Sequence, residues 1–101
     1  MYYLNITYQD IDNAIMPMKH QIQTMKDYFI RNDCPIPELV IELEYRLDCF
    51  ITGIKNEVKY MSANEYAHDI DIAKKLCAII IGLLEKEFRA IHCPDMDGDI
   101  A

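Results

Sequence analysis

The stretch Ile70 to Ile91, IDIAKKLCAIIIGLLEKEFRAI, constrains this chain more than any other. It is the most apolar run in the sequence, and its spacing is helical. Stepping about 100° per residue places Tyr66, Ile70, Ala73, Cys77, Ile80, Leu84, Phe88 and Ile91 on one stripe. Ile72, Leu76, Ile79 and Leu83 form a second stripe beside it. A surface helix needs an apolar arc of only about 100°. Two adjacent stripes therefore predict a helix that meets more than one neighbour. The second stripe is expected either to be covered by the chain's other helices or to form a symmetric homodimer seam.

Local signals fix where this helix starts and stops. Ser62-Ala63-Asn64-Glu65 reads as a capping box, with Met61 and Tyr66 placed to staple the entry. Pro94 cannot continue the hydrogen-bond ladder, so the helix is predicted over 63–92. Asp71 with Lys75, and Glu85 with Arg89, are i,i+4 pairs in the favourable order. The helix's longest uncharged run, Leu76 to Leu84, is too short to cross a bilayer.

Two further helices are expected. Ile11, Ile15, Met18, Ile22, Met25 and Phe29 keep a four-three rhythm and predict helix one over 9–32. Pro17 falls inside it and removes a hydrogen bond. The rhythm favours a kink over a split, which would give a fourth helix. Arg31 to Pro37, RNDCPIP, breaks the chain. Helix two is predicted over 37–61, with Ile36, Leu39 or Val40, Leu43, Leu47, Phe50, Ile54, Val58 and Met61 facing inward. Residues 2–8 alternate like a strand, but no second strand pattern exists to pair with. An extended N-terminal arm, 1–8, is therefore expected, lying on the bundle or against a twin. Asp95, Asp97, Gly98 and Asp99 look like the opening of a calcium loop. Ile100 stands where the turn needs glycine, so residues 94–101 read as a short acidic tail. The expected fold is all-α: a three-helix up-down bundle in a single domain.

Composition limits the function classes. The chain has 101 residues and a net charge of −7. A negative surface disfavours nucleic acid as a direct partner and suits a basic protein. The four cysteines form no CxxC pair. The first residues show no secretory pattern, so a cytoplasmic protein with free thiols is expected. A bias toward Ile, Tyr, Asn and Lys resembles AT-rich coding sequence, as in many bacteria and their phages.

No nucleophile elbow, zinc-protease motif or phosphate loop is present. His20 and His68 fall on outer helix faces, and His92 falls at the end of helix three. Cys34, His92 and Cys93 lack the paired spacing of structural zinc sites. Glu38 with Glu42, Glu44 with Asp48, and Glu65, Asp69 and Asp71 could hold magnesium only from an inward stripe, which none occupies. No cofactor is expected.

The first expectation is a non-enzymatic interaction protein that binds and modulates or inhibits another protein, as phage and mobile-element inhibitors do. Its candidate surface is the outer face of helix two: Glu38, Ile41, Glu42, Tyr45, Cys49 and Tyr60. A small-ligand or nucleotide binder is the alternative, with Tyr2, Tyr3 and Tyr8 stacking and Lys19 or Lys26 meeting a phosphate. A carboxylate–metal nucleotide hydrolase ranks last.

Overall fold

A computed structural model describes residues 6–92 of the chain. Three helices account for nearly all of them: α1 (Tyr8–Arg31), α2 (Glu38–Glu57) and α3 (Ala63–His92), with a 3-10 turn at Val58–Tyr60 between the last two. The architecture is an all-α three-helix bundle, and no strand occurs among the described residues.

α1 opens on a capping box. Thr7 is extended (φ −92°, ψ 166°), and its hydroxyl accepts from the Asp10 amide at 3.2 Å. The Asp10 carboxylate accepts from the Thr7 amide at 2.8 Å. Two of the helix's unpartnered N-terminal amides are thereby satisfied. Tyr8 is accordingly the first helical residue, not the last of an extended arm; residues 1–5 of that arm lie outside the described residues. α1 runs through Pro17 as one helix, so the four-helix alternative does not form. Pro17 and Asn13 are exposed. The Asn13 carbonyl, which loses its donor to the proline ring, can turn to water.

The end of α1 is equally well specified. The Asp33 amide donates to the Ile30 carbonyl at 3.2 Å, and the Cys34 amide donates to Phe29 at 2.8 Å. Those two bonds are a Schellman closure. Asp33 supplies the left-handed residue that it requires, with φ 53°. The chain then turns through Pro35 and Pro37 into α2.

α3 begins as its sequence predicts. The Glu65 amide donates to the Ser62 hydroxyl at 3.1 Å, and the Ser62 amide to the Glu65 carboxylate at 3.5 Å. Met61 and Tyr66 are half-buried against the core. Asp71 and Lys75 pair at 2.9 Å.

α3 is the hub, packed lengthwise against both α1 and α2. Its buried residues are Ile70, Ala73, Cys77, Ile80, Ile81 and Leu84. They meet Ile11, Ile15, Ile22 and Phe29 of α1, and Val40, Leu47, Ile51 and Ile54 of α2, with Val58 of the following turn. Ala73 and Cys77, the small residues of this face, are fully buried. Among the described residues no polar or charged side chain is buried.

Three ion pairs join α1 to α2 beside the shared core. Asp12 pairs with Lys55 at 2.8 Å, Lys19 with Asp48 at 2.7 Å and Lys26 with Glu44 at 2.6 Å. The α1 members rise in sequence while the α2 members fall, so the two helices are antiparallel. Seven-residue steps from Asp12 to Lys19 to Lys26 return the α1 members to one side of the helix.

Candidate functional site

Helical geometry places Glu38, Ile41, Glu42, Tyr45 and Cys49 together on the side of α2 opposite its core stripe. The same 100° step that buries Val40, Leu47 and Ile54 turns these residues outward. All five are exposed, Ile41 at 55% and Tyr45 at 70%. Ile41 and Tyr45 are one turn apart, so their side chains adjoin. Glu42 pairs with Arg46 at 2.9 Å, which offsets part of the local negative charge. Glu38 has no such neighbour in the first turn. Tyr60 is also 70% exposed but lies on the 3-10 turn, roughly 20 Å along the axis from Tyr45. Lys59 sits over its ring at 5.2 Å. The candidate surface is therefore a five-residue patch on α2 with Tyr60 standing apart.

The second stripe of α3 divides. Leu76 and Leu83 are half-buried against the core, while Ile72 is 37% and Ile79 54% exposed. Among the described residues, cover therefore reaches mainly two of the four. Ile81, which neither stripe includes, is buried instead. On α2, Val40 takes the inward position and Leu39 stays half-exposed; Ile51, absent from the expected stripe, is buried.

Two clefts lie where helices adjoin. One lies between α1 and α2, with a volume near 590 Å³. Ile15 and Ile51 lie beneath it, and the Asp12–Lys55 and Lys19–Asp48 pairs border it. The buried Cys77 thiol feels the Lys19–Asp48 pair. Burial pushes its pKa up; Lys19 lowers it and Asp48 raises it by smaller amounts. The other cleft, near 350 Å³, lies between the C-terminal halves of α1 and α3. Tyr28 and Phe88 line it with ring centres 5.3 Å apart at 50°, and Glu85 and Arg89 stand at its edge. Sequence reading missed this cleft because Tyr28 belongs to no stripe. Its ring position became visible only once α1 and α3 were placed side by side.

The lysines expected to meet a phosphate are both engaged, Lys19 by Asp48 and Lys26 by Glu44. Lys55 lies 5.9 Å from the Tyr8 ring centre; Tyr2 and Tyr3 fall outside the described residues. No group of three His, Cys, Asp or Glu side chains among the described residues could hold a metal ion. Cys34 is half-buried and its thiol donates to the Asn32 carbonyl at 3.4 Å. Cys93 and the acidic tail lie outside the described residues. Among the described residues no helix is long and apolar enough to cross a membrane.

The fold thus defines a three-helix bundle with an apolar interior, an exposed apolar-acidic patch on α2 and two open clefts. No protein-family model matches the chain, and neither a curated protein nor a solved structure does.

Proposed function

We propose that this protein is a non-enzymatic binding module that docks the outer face of α2 onto another protein and modulates or blocks it. The observation that supports this reading is the exposed Ile41–Tyr45 pair set among Glu38 and Glu42. Tyrosine gives a large, stiff contact at small entropic cost, and such residues dominate interface energetics. The carboxylates around it, with the net charge of −7, would steer a basic partner. Phage and mobile-element inhibitors of larger enzymes have this character.

The test is side-by-side capture with the wild type and an Ile41→Ser/Tyr45→Ala double variant from the same extract. Both side chains face solvent, so the variant should keep its helical circular dichroism. Proteins retained by the wild type should drop about tenfold on the variant, the loss expected from some 1.4 kcal/mol of contact energy. Equal retention would remove the α2 face from the argument.

The α1–α3 cleft favours a second reading, a small-ligand binder. Its 350 Å³ volume falls in the range of ligand sites, and its lining is mostly apolar with Arg89 at the edge. A thermal-shift screen of metabolites and nucleotides separates the readings. A large shift by one compound that is lost in Phe88→Ala supports the cleft; a flat screen leaves the α2 face.

A further inference from the structure

The exposed flank of α3 points to a second copy of this chain, docked antiparallel through Ile72, Leu76, Ile79 and Leu83, and we propose that the protein is a symmetric dimer built on this contact. The proposal does not rest on the α2 outer face, which the contact would leave open on both copies.

The flank lies on the side of α3 turned away from α1. Glu85 and Phe88 mark the α1 side, because they line the cleft between the two helices. Ile72 and Ile79 lie roughly half a turn from there at 100° per residue. On α2, Leu39, Leu43 and Phe50 lie on the corresponding side, away from the ion pairs that mark its α1 edge. The apolar strip thus runs along α3 and continues onto α2. Ile79 stands in its centre and is 54% exposed among the described residues.

The charges at the ends of the strip select its occupant. Continuing the three-four spacing in both directions gives Glu65, Asp69, Ile72, Leu76, Ile79, Leu83, Lys86 and Ala90. The line is acidic at its N-terminal end, apolar in the middle and basic at Lys86. Such a line complements its own reverse. An antiparallel copy sets Leu76 against the partner's Ile79, and Ile72 against the partner's Leu83. The same register sets Asp69 against the partner's Lys86, and Glu65 against the small Ala90 of the partner subunit. Two-fold symmetry makes every one of these pairs twice. A parallel copy would place Asp69 against its own equivalent and Lys86 likewise, both repulsive. Neither Asp69 nor Lys86 has an ion-pair partner among the described residues. The pair is free to form between copies.

The experiment measures mass in solution by light scattering and sedimentation equilibrium. The wild type should weigh twice the 11.8 kDa chain. Ile79→Asp should be monomeric with unchanged helical circular dichroism, since its side chain is not part of the monomer core. Asp69→Lys and Lys86→Asp should each weaken dimerisation by about tenfold or more, because each turns two attractive pairs repulsive. The Asp69→Lys/Lys86→Asp double variant should recover wild-type affinity. That recovery is the signature of the antiparallel register, and it is read on exposed or half-buried groups whose exchange leaves the interior untouched. A wild type that stays monomeric at millimolar concentration overturns the proposal. So does a dimer that survives Ile79→Asp, or a double variant no tighter than the single ones.

Discussion

Asp33 holds a backbone conformation that aspartate adopts only at a cost. Its φ of 53° lies in the left-handed region, and the closure of α1 requires it there. A residue with a Cβ loses roughly 1–2 kcal/mol in that region, and glycine does not. Glycine gives back about 0.5–1 kcal/mol in unfolded-chain entropy. Asp33→Gly should therefore stabilise the protein by about 0.5–1 kcal/mol, seen as a higher urea midpoint with an unchanged slope. Cys77 carries a different residue-scale consequence. Its thiol is fully buried, and burial raises its pKa, with Lys19 and Asp48 acting in opposite directions. A raised folded-state pKa means stability that is whole below the unfolded thiol's pKa, about 8.5, and is lost as pH rises past it. Tyr66 shifts the same way, through burial and then Asp10, and adds a loss of the same sign above about pH 10. Stability followed by denaturant titration should fall from pH 8 to pH 10.5, and Cys77→Ala should flatten the first part of that fall. A thiol reagent at neutral pH should modify exposed Cys49 at once and Cys77 only at the rate of unfolding.

Between helices, the ladder of charges on α1 and α2 is graded by exposure. In the Lys26–Glu44 pair both side chains are 20% exposed, whereas Lys19 and Asp48 are 42% and 59% exposed. Open ion pairs contribute about 0–1 kcal/mol, and a half-buried charge left alone costs more. Lys26→Ala should cost about 1–2 kcal/mol in chemical denaturation and Lys19→Ala less than about 0.5. Equal losses for the two variants would contradict the grading. None of this ladder could be read in the sequence, because it depends on the register of α1 against α2. The elements themselves were legible. The four-three rhythm of Ile11, Ile15, Met18, Ile22, Met25 and Phe29 carries across Pro17, and the Ser62–Glu65 box opens α3 where expected. The outward turn of Ile41 and Tyr45 was equally legible, since it follows from the phase of one helix alone. What failed was the width of each buried arc. Ile51 and Ile81 are drawn in by a second neighbour, and Leu39 and Ile79 are left at the margin. Periodicity gives the centre of a buried face, while its edges depend on where adjacent helices stand. The α1–α3 cleft was illegible for the same reason.

At the scale of the whole molecule, the arrangement makes α3 the element on which the other two depend. α1 and α2 each pack most closely against α3, and three ion pairs join them to each other beside the shared apolar core. Ion pairs of this kind cannot hold two helices together on their own. Isolated helices of 24 and 20 residues are also marginal in water without tertiary packing. Loss of packing on α3 should therefore be felt by all three helices at once. Ile80 is fully buried at the centre of α3, and Ile80→Ala removes three carbons that the surroundings cannot fully replace. The expected cost is about 2–5 kcal/mol, against a total of roughly 5–10 kcal/mol for a domain of this size. Far-ultraviolet circular dichroism reports helix content, while tyrosine fluorescence, with Tyr28 on α1 and Tyr66 on α3 packed against the core, reports local packing. The two signals should move to lower denaturant together and remain superimposable in the variant. Separate transitions would mean that α1 or α2 retains structure without α3, and the hub arrangement would then be wrong as an account of stability. A single coincident transition would place the cooperative unit where the burial pattern puts it, along the face from Ile70 to Leu84.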